Sequence, residues 1–241
     1  MNEADRRQIL TRVAAGTISP EEGAHQLDSI KTGEEPADSG IRKVRIERQL
    51  GTVEIVGDPN VRDAVAEGPH QARIEGDVMI FSRHTTTEHG GFFFGVTGYA
   101  GPDKLLVRMN PALALELQMQ AGSCRVRGIE GPIRADVQAG SATIDGFRGA
   151  LNLSVQAGSV KASGRLDHDE SRINCDAGSV TLNLEPGSSV RISARASMGK
   201  VELPGESAVS GGGLRAATVG DGDGTLSIEC HMGSVKVGAG W

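Results

Sequence analysis

The sequence Gln120-Ala-Gly-Ser123 decides the fold, because it recurs along the chain. The same pattern returns at 138–141, 156–159 and 176–179, with aspartate replacing glutamine in the last of these. From Gly122 onward the central glycines are spaced by 18, 18, 20, 21 and 34 residues. A recurring period of this length is typical of a stacked-repeat architecture. More divergent copies are Leu50-Gly-Thr52, Met198-Gly-Lys200 and Met232-Gly-Ser234.

Apolar and polar residues alternate on both sides of each glycine. This period of two predicts strands with one buried face. The apolar positions shift from odd to even offsets across the glycine, so the chain must bend there for both strands to face one interior. The alanine before the glycine is then expected to point inward at a tight corner. Around Gly140 the predicted inward residues are Ile133, Ala135, Val137, Ala139, Ala142 and Ile144.

Each copy is therefore predicted to be a strand, a corner, a second strand and a closing turn. Stacked copies would place glycine over glycine and bury one another's apolar faces, as in a β-solenoid. The predicted fold class is mainly β: a single-stranded, β-helix-like solenoid of about 18–21-residue repeats with a small N-terminal helical hairpin. An antiparallel meander is the alternative, because 145–149 could also close a short hairpin.

The composition limits the classes of function. The 241 residues include 34 glycines and only seven aromatic residues, which favours a thin stack over a bulky core. The net charge of −6 argues against nucleic acid as a partner and gives no polybasic attraction to anionic lipid. The three cysteines form no simple disulfide framework. They all fall on predicted inward positions, and we expect them to be buried thiols: Cys124, Cys175 and Cys230.

The N-terminal region is predicted to form two short helices. Ile9, Leu10 and Val13 give the first helix an apolar stripe at helical spacing. Ser19-Pro-Glu-Glu22 then supplies a cap, a helix-starting proline and a capping box for the second helix, whose apolar face includes Leu27. Two helices of this length cannot bury both stripes alone. We therefore predict that this hairpin is an association module.

Three parts follow from these patterns: the helical hairpin at 1–32, a polar linker at 33–40 and the β-repeat domain at 41–241. The N-terminus is charged and has no apolar signal-peptide region. No apolar run approaches the ~20 residues that a membrane-spanning helix needs. We therefore expect a cytoplasmic protein with no integral membrane segment, while peripheral membrane contact stays open.

The segment 83–103 interrupts the alternation and is rich in glycine, which disfavours a regular strand. Its aromatic residues either fold back onto the stack or form an exposed tip that docks a partner or a membrane interface. His84 and His89 flank them, but no carboxylate or thiol pattern completes a metal site. Four of the seven aromatic residues of the chain lie in this segment: Phe92, Phe93, Phe94 and Tyr99.

Patterns for catalysis are missing from the sequence. There is no nucleophile elbow and no phosphate-binding loop. The corner serines recur in nearly every copy, which indicates a structural role. The glycine and aspartate alternation at 220–224 lacks the bidentate glutamate of an EF-hand, so a flexible excursion is expected over 207–224. We predict no enzymatic activity, no cofactor and no metal.

Two resemblances add to this interpretation. The repeated cells from about residue 41 to the end resemble the bacterial toastrack β-repeat family, also called "putative adhesin". The N-terminal pattern Ile9-Leu10-x-x-Val13-x-x-Gly16-x-Ile18-Ser19-x-Glu21-Glu22 resembles the short bihelical SHOCT-like module that is often joined to it. The resemblance implies a non-enzymatic scaffold, in many members linked to cell-envelope stress sensing, with the helical module mediating association.

The expected function is that of a cytoplasmic scaffold that binds a protein partner or associates with itself. The predicted partner-binding residues are those of the aromatic segment and the helical stripes: Phe92, Phe93, Phe94, Tyr99, Ile9, Leu10, Val13 and Leu27. The alternative is an envelope-associated adhesin or a ligand-binding β-helix. A carbohydrate-active enzyme is a third hypothesis, and it would need acidic residues that converge on one groove.

Overall fold

The computed structural model describes residues 40–82, 104–205 and 214–240. The chain divides into two units, 1–39 and 40–241, and every described residue belongs to the second. The described residues form β-strands and no helix, so this part of the chain is mainly β, as predicted. The predicted helical hairpin at 1–32 lies outside the described residues, as does the linker up to residue 39.

The described residues contain seventeen strands, numbered in chain order. They are β1 (Lys43–Arg48), β2 (Thr52–Gly57), β3 (Ala64–Glu67), β4 (Gln71–Glu75), β5 (Val78–Ser82), β6 (Lys104–Met109), β7 (Ala114–Met119), β8 (Ser123–Arg127), β9 (Ile133–Arg148), β10 (Leu151–Arg165), β11 (Glu170–Cys175), β12 (Ser179–Leu184), β13 (Val190–Ala196), β14 (Lys200–Glu202), β15 (Leu214–Val219), β16 (Gly224–Cys230) and β17 (Ser234–Ala239).

Each repeat has a first arm before its glycine and a second arm after it. In the Gly140 and Gly158 copies, one continuous strand, β9 or β10, carries both arms through the corner. In the other copies two shorter strands flank the glycine, as β7 and β8 flank Gly122. We call the central residues of all copies the corner glycines: Gly51, Gly122, Gly140, Gly158, Gly178, Gly199 and Gly233.

Neighbouring copies pair in parallel and in register. Gly158 lies opposite Gly140, and Ser159 lies opposite Ser141. The same offset joins the Gly122 copy to the Gly140 copy, and the Gly158 copy to the Gly178 copy. An antiparallel meander is therefore wrong for the repeats: β9 pairs with β10 in parallel, and 145–149 closes no hairpin.

The copies are not stacked in their sequence order. The last copy in sequence, that of Gly233, pairs with the Gly178 copy on one side and with the Gly199 copy on the other. At the opposite end, the Gly51 copy lies between the Gly122 copy and the pair β5 and β6. The first and last copies are thus both interior to the stack.

Antiparallel strands lie at both ends of the stack. β4 pairs with β5, and β3 pairs with β6, at the end next to the Gly51 copy. β15 pairs with β13 at the other end. This strand falls within the segment 207–224, for which a flexible excursion was predicted, so that prediction was wrong for 214–219. The described sheet does not close on itself.

The core is a continuous column of residues that recur at the same offsets. They lie seven, five and three residues before the corner glycine and two and four residues after it, and nearly all of them are buried. All three cysteines belong to this column, as predicted, and all are free thiols. Two polar residues, Ser171 and Arg48, also occupy these offsets and are buried, Arg48 with 3% of its surface exposed. One of its guanidinium nitrogens donates a hydrogen bond to the carbonyl oxygen of Pro69 at 3.3 Å.

The residue directly before the corner glycine points outward, which corrects the inward prediction. Ala139, Ala157 and Ala177 are exposed. Their larger counterparts Met198 and Met232 are 80% and 63% exposed. The residues from two before the corner glycine to one after it all stay outside the interior. The next inward residue is the second one after the glycine. Leu50, in the equivalent place of the Gly51 copy, is 56% exposed.

The corner glycines are required because the backbones approach one another closely. A Cβ atom on Gly178 would lie 2.5 Å from the carbonyl oxygen of Gly158, and one on Gly199 would lie 2.5 Å from that of Gly233. Gly140 meets the same obstacle at Gly122 and also has a φ of 118°. A side chain would therefore separate neighbouring copies at each corner.

Candidate binding groove

The outer face of the first arms carries a groove of about 610 Å³. It is built mainly from the outward residues two and four positions before the corner glycine, in four adjacent copies. We call it the outer groove, and its lining residues are Glu47, Arg48, Gln49, Ser82, Gln118, Met119, Gln120, Asp136, Val137, Gln138, Ser154 and Gln156. The strands β1, β7, β9 and β10 hold these side chains side by side, because they pair in parallel and in register.

Glutamine is the most frequent residue in the outer groove. Four glutamines lie two residues before a corner glycine, and the fifth is Gln118. Three of them belong to the repeated Gln-Ala-Gly-Ser pattern, which the sequence analysis used only as a structural marker. The repeated glutamine was the available signal for this surface. It was overlooked because a residue that recurs in several copies was taken to be structural.

Most amide groups of the outer groove make no hydrogen bond among the described residues. Within the described part of the chain, Gln49, Gln120, Gln138 and Gln156 make no side-chain hydrogen bond to protein atoms. Gln118 is the exception, since its Nε2 donates to Oε1 of Glu116 at 3.2 Å. An amide offers both a donor and an acceptor. This surface can therefore exchange hydrogen bonds with a ligand that also carries both.

Each of the two carboxylates of the outer groove lies close to an arginine side chain. Oε2 of Glu47 lies 3.8 Å from a guanidinium nitrogen of Arg73, and Oδ2 of Asp136 lies 3.4 Å from Nε of Arg134. Beside the groove, burial by itself raises the pKa of Glu116, but hydrogen bonds from Arg45 and Gln118 outweigh it and hold that pKa below its usual value. Each of these three carboxylates therefore has a cationic side chain beside it.

A smaller pocket of about 190 Å³ continues the polar surface toward the Gly178 copy. It shares Asp136 and Ser154 with the outer groove and adds Asn152 and Asn174. Its two arginines face acidic neighbours: Arg134 pairs with Asp136, and Arg172 lies 3.8 Å from Glu170. Both pockets thus combine amides and hydroxyls with compensated charges.

The outer face of the second arms has a different character. Glu54 accepts contacts from Nζ of Lys104 at 2.9 Å and from a guanidinium nitrogen of Arg127 at 3.2 Å. The hydrogen bond from Lys104 is the main cause that lowers the pKa of Glu54. Glu54 therefore joins charged side chains of three neighbouring strands on this face.

Cys124 and Cys175 are unreactive thiols. Burial raises the pKa of Cys124 to about 12. Burial also raises the pKa of Cys175 to about 11, with a further contribution from the neighbouring Cys230. A thiol reacts as its thiolate, so these cysteines are poor nucleophiles in the folded chain.

The predicted partner-binding residues cannot be placed in this geometry. Phe92, Phe93, Phe94, Tyr99, Ile9, Leu10, Val13 and Leu27 all lie outside the described residues, as do His84 and His89. His70 is described, and its ring contacts that of Phe81 edge-on at 5.6 Å while Nδ1 lies 2.8 Å from the carbonyl oxygen of Gly68. The described residues contain no group of side chains that could hold a metal ion.

The chain is similar to a solved structure of low sequence identity. Among the described residues no helix is long and apolar enough to span a membrane. No family model and no curated protein matches the chain. A solved structure from Clostridium sporogenes, described as a "putative cell adhesion protein", is similar to this chain with a TM-score of 0.45 and 14% identity, over 86% of this chain and 96% of that one.

Proposed function

We propose that this chain is a non-enzymatic binding scaffold, in which a solenoid-like β stack presents the outer groove to another macromolecule. The observation that carries the proposal is the groove itself. Equivalent outward positions in four adjacent copies line one continuous surface, and most of its amides are uncommitted. Because parallel pairing fixes the copies in register, the groove is pre-organised and loses little conformational entropy on binding.

The chemistry of the groove supports binding more than catalysis. Its acidic side chains are Glu47 and Asp136, and each lies beside an arginine rather than beside the other carboxylate. A glycosidase needs two carboxyl groups that flank the scissile bond together. No nucleophilic thiol lines the groove. The carbohydrate-active enzyme considered from the sequence therefore has no support in this surface.

The remaining parts of the proposal rest on the sequence. The helical hairpin at 1–32 mediates association, and the scaffold works in the cytoplasm, with a link to the cell-envelope stress response. The alternative, an envelope-associated adhesin or ligand-binding β-helix, uses the same groove. Fractionation of cells that produce the tagged full chain separates the two locations, since protein found outside the inner membrane would contradict the cytoplasmic scaffold.

Site-directed photo-crosslinking in cells tests whether the groove binds a macromolecule. A photo-crosslinking amino acid replaces Gln138 in the groove of the full-length chain. A second variant carries it in place of Lys161, which is exposed on the second arm of the Gly158 copy. We expect a discrete adduct of higher mass from position 138 only. Equal adducts from both positions, or none from either, would remove the outer groove from the proposal.

A further inference from the structure

We propose that the outer groove binds a neutral oligosaccharide that lies across the strands, along the axis of the stack. This inference rests on the proposed binding function and names the ligand class. The side chains that line the groove fit such a ligand better than they fit an anion, an apolar ligand or an added peptide strand.

Anionic ligands do not fit the lining. Its single basic residue, Arg48, is buried and points part of its guanidinium toward Pro69. Its two acidic residues, Glu47 and Asp136, are partly exposed, and they pair with the arginines beside the groove, which are then less available to a phosphate or a sulfate. Nucleic acids and anionic lipid headgroups are recognised by exposed cations. The outer groove therefore lacks what either of them needs.

Apolar ligands do not fit either. The apolar residues of the lining, Met119 and Val137, are core residues that are almost wholly buried. No apolar side chain stands free on the floor of the groove to receive a partner's leucine or phenylalanine. Recognition of helices and of most peptide side chains depends on such apolar pockets.

A peptide cannot join the floor of the groove as an added strand. β7 pairs with β1 on one side and with β9 on the other. β9 pairs in turn with β10. The backbone groups of these strands are therefore already used, and β-augmentation requires a free edge. Only the side chains are available to a ligand.

The available side chains match a chain of hydroxyl groups. Each hydroxyl of a sugar can donate and accept a hydrogen bond, as can each amide. Gln138 and Gln156 lie on the adjacent strands β9 and β10, and Gln120 directly follows β7, which pairs with β9. Adjacent strands are separated by about 4.8 Å in a β-sheet. This repeat along the axis presents a row of equivalent hydrogen-bonding groups to a polymer with repeated hydroxyls. Ser154 and the neighbouring pocket with Asn152 extend the row.

The experiment uses the full-length chain and titrates it with cellohexaose, chitohexaose and maltohexaose by isothermal calorimetry. A heparin hexasaccharide serves as the anionic comparison. The test variant is Q120A combined with Q138A, both at exposed positions whose side chains make no hydrogen bond. The matched control is N183A, which removes an exposed amide from the second arm of the Gly178 copy. Thermal unfolding of all variants checks that they are folded.

We expect at least one neutral hexasaccharide to bind and the double variant to weaken its binding about tenfold, since two hydrogen bonds are lost. The control should bind as the unsubstituted chain does. The inference fails if no neutral sugar binds at millimolar concentration, if the double variant binds unchanged, or if the heparin hexasaccharide binds best. If crosslinking at position 138 captures a protein and no sugar binds, the inference fails while the proposed binding function stands.

Discussion

Cys175 and Cys230 lie directly opposite each other on the paired parallel strands β11 and β16, although the whole Gly199 copy separates them in sequence. The thiols occupy the same place in their repeats, three residues before the corner glycine. Their pairing shows that the last copy is inserted into the stack rather than added to its end. The Gly199 copy and β15 then form the terminal layer, so the final repeat buries both of its edges.

Because neighbouring corner glycines approach closely, adding a side chain at a corner should destabilise the fold even where the glycine has no left-handed backbone. Gly158 has no positive φ, but a Cβ atom there would collide with the carbonyl oxygen of Gly140. We expect Gly158→Ala to lower the free energy of unfolding by about 3 kcal/mol, measured by urea denaturation. The comparison is Gly76→Ala, where φ is 62° and no atom lies near the new Cβ.

Gly76→Ala should cost only about 1–2 kcal/mol, from the left-handed conformation alone. If Gly158→Ala costs no more than this control, the neighbouring copies can separate at the corner without penalty. The glycine ladder would then not be what holds the copies in register.

The exposed methionines directly before two corner glycines should be oxidised before the buried methionines. Met198 and Met232 are exposed, whereas Met109 and Met119 are buried in the core. Dilute peroxide should convert the first pair to sulfoxides well before the second pair. The free energy of unfolding should change by less than about 0.5 kcal/mol. Peptide mass spectrometry against time measures this order, and equal rates for both pairs would contradict the exposed placement.

The buried thiol of Cys124 predicts a loss of stability at alkaline pH. Burial raises its pKa from 9.0 to about 12, so the folded chain keeps this proton where the unfolded chain releases it. Raising the pH above 9 therefore favours the unfolded state, and the loss continues until the pH reaches about 12. The slope attributable to this thiol is about 1.4 kcal/mol per pH unit.

Chemical denaturation of the unsubstituted chain and of Cys124→Ala, from pH 8 to pH 11, tests this expectation. The substitution lowers stability at every pH because it leaves a small cavity. The informative quantity is the slope, which should be shallower above pH 9 in the variant. Parallel curves for the two chains would mean that Cys124 does not titrate with a raised pKa.

We predict that Arg215 limits self-association of the chain through the edge of β14. Its guanidinium donates a hydrogen bond of 2.8 Å to the carbonyl oxygen of Val201 on β14. β14 pairs with β17 on one side only, within the described residues. Exposed strand edges template association with other chains. We expect Arg215→Ala to increase self-association with concentration in sedimentation velocity, while Arg195→Ala, a neighbouring exposed arginine on β13, leaves it unchanged.

Much of the interior could be predicted from the chain's alternation. The inward places of Val137, Val155 and Cys175 follow from the period of two, and the structure buries all three. The prediction failed at the residue before each corner glycine, because alternation cannot say at which residue a bend resets the pattern. Ala139 was expected to point inward on this ground, and it is exposed.

The outer groove could be predicted only in part. Gln120, Gln138 and Gln156 recur at one offset, and parallel stacking then implies that they form a row. Gln49 lies at the same offset before Gly51, but its place in the row depends on the long-range pairing of β1 with β7. Ser82, which completes the groove, comes from β5, whose position beside β1 depends on long-range pairing.

The amino-acid sequence by itself determined the repeat, the corner at each glycine and the buried face of each arm, because these depend on local periodicity and on the small size of glycine. The order of the copies was decided only in three dimensions. Every copy offers nearly the same backbone edge and the same apolar column, so local pattern cannot distinguish one neighbour from another. The Gly233 copy lies between those of Gly178 and Gly199, where both of its edges are paired.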